Sequence, residues 1–232
     1  IWLSRHTRQW PGHPLTLTLM TLAVGWCNVA FVLAVLDGTV VRVLLLFYLS
    51  PLWALLLGWI MLGEKPGRIA WVVFVLALLG ALIMLWDEQI GLPWPRDQAD
   101  WLAVSSGFAF SFANVMVRKM GAVELGIKSV ASWLGVVIVA AVWIILVGSP
   151  LPEVTTATLG GAVLLGWFGF VIMTVTVVYG VTHMPVHRSA VILLFELVVG
   201  AASSLLLTEE RIQPGEWIGG TMILVSAYLA AR

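Results

Sequence analysis

The sequence predicts an all-α fold, a polytopic membrane helix bundle, and three observations carry that reading. Only 10% of its residues are charged and 61% are hydrophobic, at a mean hydropathy of +1.03; a soluble domain carries about 25% charged residues. Its apolar runs are about 20 residues long, the length a helix needs to cross a hydrocarbon core of about 30 Å. Runs such as 40–49 do not alternate apolar with polar residues, as a transmembrane β-strand would. Third, the chain echoes itself. Shifted back by 146 positions, Arg188 falls on Arg42, Glu210 on Glu64, Arg211 on Lys65 and Trp217 on Trp71, without a gap. Leu78/Leu224 and Ala81/Ala227 continue the match. One register joining two apolar segments and their polar turns reads as an internal duplication.

The elements follow in order. Residues 4–14 are polar and form a loop; Ile1-Trp2-Leu3 is too short an apolar run for a signal peptide. Spans are expected over 15–36 and 39–62, and Pro66 and Gly67 break the helix in the turn 63–68. The third span covers 69–86. Residues 87–98, rich in acid, Pro and Trp, divide a first repeat, 1–86, from a second, 99–232. The second repeat contributes spans over 100–117, 129–147, 159–182, 189–208 and about 216–231, with a short break at 183–188. That makes about eight spans, three in the first repeat and five in the second. The register sets Ile1 opposite Val147, so about 47 further residues and two helices would complete a five-plus-five inverted repeat.

Charge placement orients the bundle. With the first loop inside, nine Lys and Arg fall on cytoplasmic segments, Lys128 and the C-terminal Arg232 among them; only Arg42, Arg96 and Arg211 fall outside. This is a positive-inside bias. It gives the two halves opposite orientation, an arrangement in which secondary transporters set their site between the halves near the midplane.

Several function classes are excluded or disfavoured. Net charge is zero, so bulk charge attracts no nucleic acid. The lone Cys27 allows no intramolecular disulfide and no cysteine-clustered metal site. His183 and His187 are four apart, but all four His are expected in loops, so neither a metal site nor an intramembrane serine protease is supported. No Gly-x4-Gly-Lys-Ser/Thr loop offers an ATP site, and no cofactor is expected.

Motifs then carry a resemblance. The run LSPLWALLLGWIMLGEKP (49–66) resembles the signature of the drug/metabolite transporter superfamily, EamA-type: a Pro, about thirteen residues, then Gly-Glu. FELVVGAASSLLLTEE (195–210) resembles its second copy, an acid followed by another fourteen positions on; Glu196 and Glu210 keep that spacing, as do Ser50 and Glu64. SSGFAFSFANVMVRKM (105–120) resembles the opening helix of the family's second repeat. Leu197 stands where the family often has Pro, Glu209 replaces the Gly of the second turn, and the first two helices are absent. The resemblance implies a secondary transporter of the bacterial inner membrane with a cytoplasmic C-terminus, exporting small organic metabolites by alternating access. The abundance of Trp resembles the aromatic amino-acid exporters, which implies amino acids as cargo, aromatic ones first. Carriage of other metabolites or drugs, and a structural subunit, stay open.

The residues themselves nominate a site. Glu196 sits near the centre of a span, where a carboxylate costs roughly 3 kcal/mol to insert, so it faces the bundle or a wet cavity. Gly200, Ser203 and Ser204 extend one small, polar stripe from it. It suits a substrate ammonium anchor, a proton-titrating group, or a hydrogen-bonding strut between helices. Ser50, its counterpart in the first repeat, is no acid, so any such role is asymmetric. Asn28 and Asn114 lie inside spans and suit either a substrate contact or an interhelical hydrogen bond. Tyr48 precedes Pro51, which lacks an N–H and frees the Phe47 carbonyl, a kink suited to a cavity wall. Trp167 and Tyr179 are nominated to line the same space. Trp10, Trp86, Trp94, Trp101 and Trp217 fall at span ends, as an interfacial belt does. Arg42 and Arg188 begin spans, where a snorkelling side chain competes with a gating ion pair. Glu64 and Glu210 share a slot that suits turn capping or interhelical hydrogen bonds. The small residues of GAAS (200–203) and LLGALI (78–83) suit close helix approach.

Overall fold

A computed structural model describes residues 14–86, 94–148, 155–199, 202 and 214–231. Ser203, Ser204, Gly200 and the second turn with Glu209, Glu210 and Arg211 lie outside the described residues, as does Trp10. The described chain is helical. In order it forms α1 (Pro14–Asp37), α2 (Val40–Phe47), α3 (Ser50–Leu62), α4 (Arg68–Leu85), α5 (Gln98–Lys119) and α6 (Leu125–Val147). Then come α7 (Thr156–Leu164), α8 (Val171–His183), α9 (Val186–Leu193) and α10 (Pro214–Ala231). Among the described residues, five segments are long and apolar enough to cross a membrane: α1, α4, α6, the joined α2–α3, and the joined α7–α8.

α5 is the centre of the bundle. It packs on α1, α2, α3 and α8, and its buried residues are mostly small: Ala99, Ala103, Ser106, Gly107, Ala109, Ser111 and Ala113. A helix enclosed on several sides must be slim, which explains why it is the least apolar of the long helices. Asp97 caps its start, accepting from the Asp100 N–H at 2.9 Å. The Phe47 carbonyl points at Gly107, where an added Cβ would come within 2.7 Å of it. The peptide oxygen that Pro51 leaves without its helical partner is thus accommodated against a bare backbone.

Glycine also sets two other crossings. A Cβ on Gly135 of α6 would run into the Thr21 carbonyl of α1, and one on Gly219 of α10 into the Gly80 carbonyl of α4. Gly80 belongs to the LLGALI stretch read as a close-approach face. α4 and α10 run antiparallel along this contact, since Gly80 meets Gly219 and Ile223 while the Ile83 carbonyl meets Gly215.

Two helices break at corresponding places. α2 ends at the cap Tyr48 and α9 at the cap Leu194, 146 positions on. The first break follows from Pro51 at the start of α3. The second needs no proline: Leu194 N–H reaches Val191 O at 3.2 Å and Leu197 N–H reaches Leu194 O at 3.1 Å, a tightened turn of three-residue bonds. Helical residues continue over 195–199.

Two expectations are corrected. The fifth span begins at Leu125, so Lys128 is a wholly buried helical residue rather than a loop cation. Its Nζ donates to the Met120 carbonyl at 3.2 Å and the Thr182 hydroxyl at 2.7 Å; acceptors at neighbouring helix ends make burial tolerable. The loop read over 183–188 shrinks to Met184-Pro185. His183 closes α8, its ring 4.3 Å from that of Tyr179, and His187 lies in the first turn of α9.

Candidate functional site

The two breaks meet. The Tyr48 hydroxyl, at the end of α2, donates to Glu196 Oε1 at 2.6 Å. Glu196 follows the second break by two residues, as Ser50 follows the first. Beside this contact lies a cavity of about 320 Å³, at the small end of ligand pockets, which span roughly 300–1,000 Å³. Its wall comes from α1, α2, α5, α6, α8 and α9. The polar members are Asn28, Tyr48, Asn114, Ser132, Thr174 and Glu196, with Cys27 among them; Phe31, Phe47, Phe110 and Trp133 are its aromatic members.

Each helix contributes by its periodicity. On α1, Val24, Cys27, Asn28 and Phe31 share one face; on α5, Phe110, Ala113, Asn114 and Val117 do. The Asn28 amide donates to the Val24 carbonyl at 2.9 Å. The Asn114 side chain makes no hydrogen bond among the described residues. The rings form one cluster around Phe47: Phe31 at 5.0 Å, Tyr48 at 5.4 Å and Phe110 at 5.6 Å between centroids. Such tilted and edge-to-face contacts fix ring orientation.

Of the nominated residues, Asn28, Tyr48, Asn114 and Glu196 line this one cavity. Ser50 stands just behind it, in a small recess shared with Tyr48, Asn114 and Glu196, and its carbonyl accepts from the Ser111 hydroxyl at 2.7 Å. Trp167 and Tyr179 do not join the wall. α8 presents Met173, Thr174, Val177 and Val178 inward, which turns Tyr179 outward, 55% exposed. Trp167 lies in the π-helical stretch Leu165–Phe170 and is 74% exposed. The nomination missed Phe31, Phe47, Phe110, Ser132 and Thr174. A signal for three of them was available: Phe31 lies three residues from Asn28, Phe110 four from Asn114, and Phe47 beside Tyr48.

Ion pairs hold the bundle on either side of the cavity along α5. Near its start, Arg42 Nε donates to both Asp100 oxygens at 2.8 Å and Nη2 to the Trp94 carbonyl at 2.6 Å. Arg42 is therefore a buried ion-pair partner and does not snorkel. Near its end, Arg118 Nε donates to Glu64 Oε1 at 3.1 Å and Nη1 to the Thr182 carbonyl at 2.7 Å. Glu64 Oε2 accepts from the Val186 N–H at 2.8 Å, so this carboxylate caps α9 while tethering α5. Cations at the end of α8 and an anion at the start of α9 both suit the helix dipoles.

A many-helix apolar bundle built around an internal, mostly apolar cavity with a few convergent polar groups is the architecture of a multi-pass membrane protein with a ligand site. The chain belongs to the EamA-like transporter family, whose model matches residues 1–86 and 98–232. It is 32% identical over 148 residues to Protein RarD of Salmonella typhi, covering 60% of this chain and 47% of that protein. To Protein RarD of Escherichia coli it is 30% identical over 137 residues, covering 59% and 43%. To an uncharacterized transporter of Pseudomonas aeruginosa it is 28% identical over 142 residues, covering 61% and 44%. These alignments span about half the length of the curated relatives. A crystal structure at 16% identity superposes with a TM-score of 0.72, covering 99% of this chain and 89% of the other, a likeness of fold.

Proposed function

We propose that this protein is a secondary carrier of the bacterial inner membrane that exports small amphipathic organic metabolites by alternating access. Its halves, 1–86 and 99–232, act as inverted repeats with the C-terminus in the cytoplasm. Substrate binds in the cavity between the two broken helices, near the bilayer midplane. Asn28, Tyr48, Asn114 and Glu196 contact it, with Ser50 supporting them from behind. The process is translocation, with no covalent step. Aromatic amino acids are the first cargo to test, since the cavity pairs a carboxylate with a wall of rings.

The observation that carries this reading is the Tyr48–Glu196 hydrogen bond, 2.6 Å long. It joins the break of one half to the break of the other at the cavity edge. Interrupted helices at a repeat interface are where secondary transporters hold substrate. The polar ties on either side, Arg42–Asp100 and Glu64–Arg118, are suited to open in turn.

Tracer counterflow in proteoliposomes tests the reading, with tryptophan and phenylalanine as cargo and Glu196→Gln in parallel. Saturable counterflow that the variant loses is the expected result. Flux no higher than in empty vesicles, with folded protein present, overturns the cargo assignment.

A further inference from the structure

The cavity is lopsided in charge. Its wall carries one carboxylate, Glu196, and among the described residues no Lys, Arg or His lines it. Three cations of the surrounding helices are engaged elsewhere: Arg42 with Asp100, Arg118 with Glu64, and Lys128 with the Met120 carbonyl and Thr182 hydroxyl. Glu196 Oε1 accepts from Tyr48, and Oε2 has no hydrogen-bond partner among the described residues. Beside it stands the ring cluster of Phe31, Phe47, Tyr48 and Phe110.

Resting on the carrier reading, we infer that the group this site recognises is a cationic nitrogen on an aromatic or apolar body, and that it discriminates against a carboxylate. A cationic nitrogen meets the Glu196 charge and the negative faces of the surrounding rings together, the combination that binds ammonium groups in aromatic cages. A carboxylate in the same space meets a like charge. It finds only neutral donors to offset that repulsion, chiefly the Asn114 amide, the Thr174 hydroxyl and the second N–H of the Asn28 amide, whose first donates to Val24. Both effects are stronger in an apolar cavity than in water. A zwitterionic amino acid therefore gains at one end and loses at the other. An aromatic amine without a carboxyl group only gains, and an aromatic acid only loses.

Three ligands with one ring and different head groups test this: 2-phenylethylammonium, phenylalanine and 3-phenylpropionate. Each is titrated calorimetrically against the whole chain in detergent at neutral pH. The amine is expected to bind at least about tenfold more tightly than phenylalanine, and phenylpropionate not to bind. Glu196→Gln is expected to erase the advantage of the amine. Phenylalanine binding as tightly as the amine, or any binding of phenylpropionate, overturns the inference. The head-group comparison is made on the unaltered protein, so it stands whether or not a variant folds. The carrier reading fails separately, by absence of counterflow for every ligand that binds.

Discussion

The Tyr48 hydroxyl and the Glu196 carboxylate share a 2.6 Å hydrogen bond that ties the interruption in one helix to the interruption in another. Tyr48→Phe removes that tie and keeps the ring. Because Glu196 retains accessible surface, the expected loss of stability is small, about 1 kcal/mol. Counterflow turnover is expected to fall more than binding, since the variant uncouples the two broken helices and leaves the carboxylate in place. Weakened binding with unchanged turnover would contradict this.

Arg42 and Asp100 form a buried ion pair, with side chains 10% and 3% exposed. Asp100→Ala strips the guanidinium of its carboxylate inside the bundle, which is expected to cost about 3–5 kcal/mol. The paired change Arg42→Met with Asp100→Leu replaces both charges by apolar groups and is expected to recover most of that loss. Thermal unfolding of the three variants in detergent checks the order.

Glu64 holds the start of α9 through the Val186 N–H as well as Arg118. Glu64→Ala is expected to speed hydrogen exchange at the Val186 amide at least about tenfold, because that bond to a charged acceptor limits local opening. An unchanged exchange rate would show that α9 is held by packing alone.

Gly135→Ala and Gly161→Ala should differ in sign. A Cβ on Gly135 meets the Thr21 backbone, whereas one on Gly161 meets nothing. The first is expected to cost about 1–3 kcal/mol by forcing α1 from α6. The second, inside α7, is expected to be neutral or to add up to about 1 kcal/mol from helix propensity. Paired melting curves decide it.

Hydropathy and run length made the helical class legible from sequence, because a bilayer imposes one helix length and one polarity. A carboxylate at mid-span marked out Glu196, and the kink expected at Pro51 marked out Tyr48, before their contact was visible. What stayed hidden depended on helix rotation and on distant partners. Lys128 read as a loop cation because its acceptors, Met120 and Thr182, belong to other helix ends. The Arg42 pairing was obscured because Asp100 lies 58 positions away. Trp167 stands 74% exposed in a π-helical stretch, away from the cavity wall, a placement that no residue spacing announces. Leu197 stands where the family often has Pro, yet three-residue hydrogen bonds interrupt the helix there without one.

The most direct test of the cavity as the substrate site uses its single native thiol. Cys27 is the only cysteine of the chain and lines the cavity wall. Its alkylation rate with a small thiol reagent is measured in detergent, with and without saturating 2-phenylethylammonium or phenylalanine, in the native protein and in Glu196→Gln. The account predicts that ligand slows alkylation severalfold in the native protein and that the protection given by 2-phenylethylammonium is lost in the variant. Alkylation at the same rate with and without a ligand that calorimetry shows to be bound would place the binding site elsewhere and contradict the account.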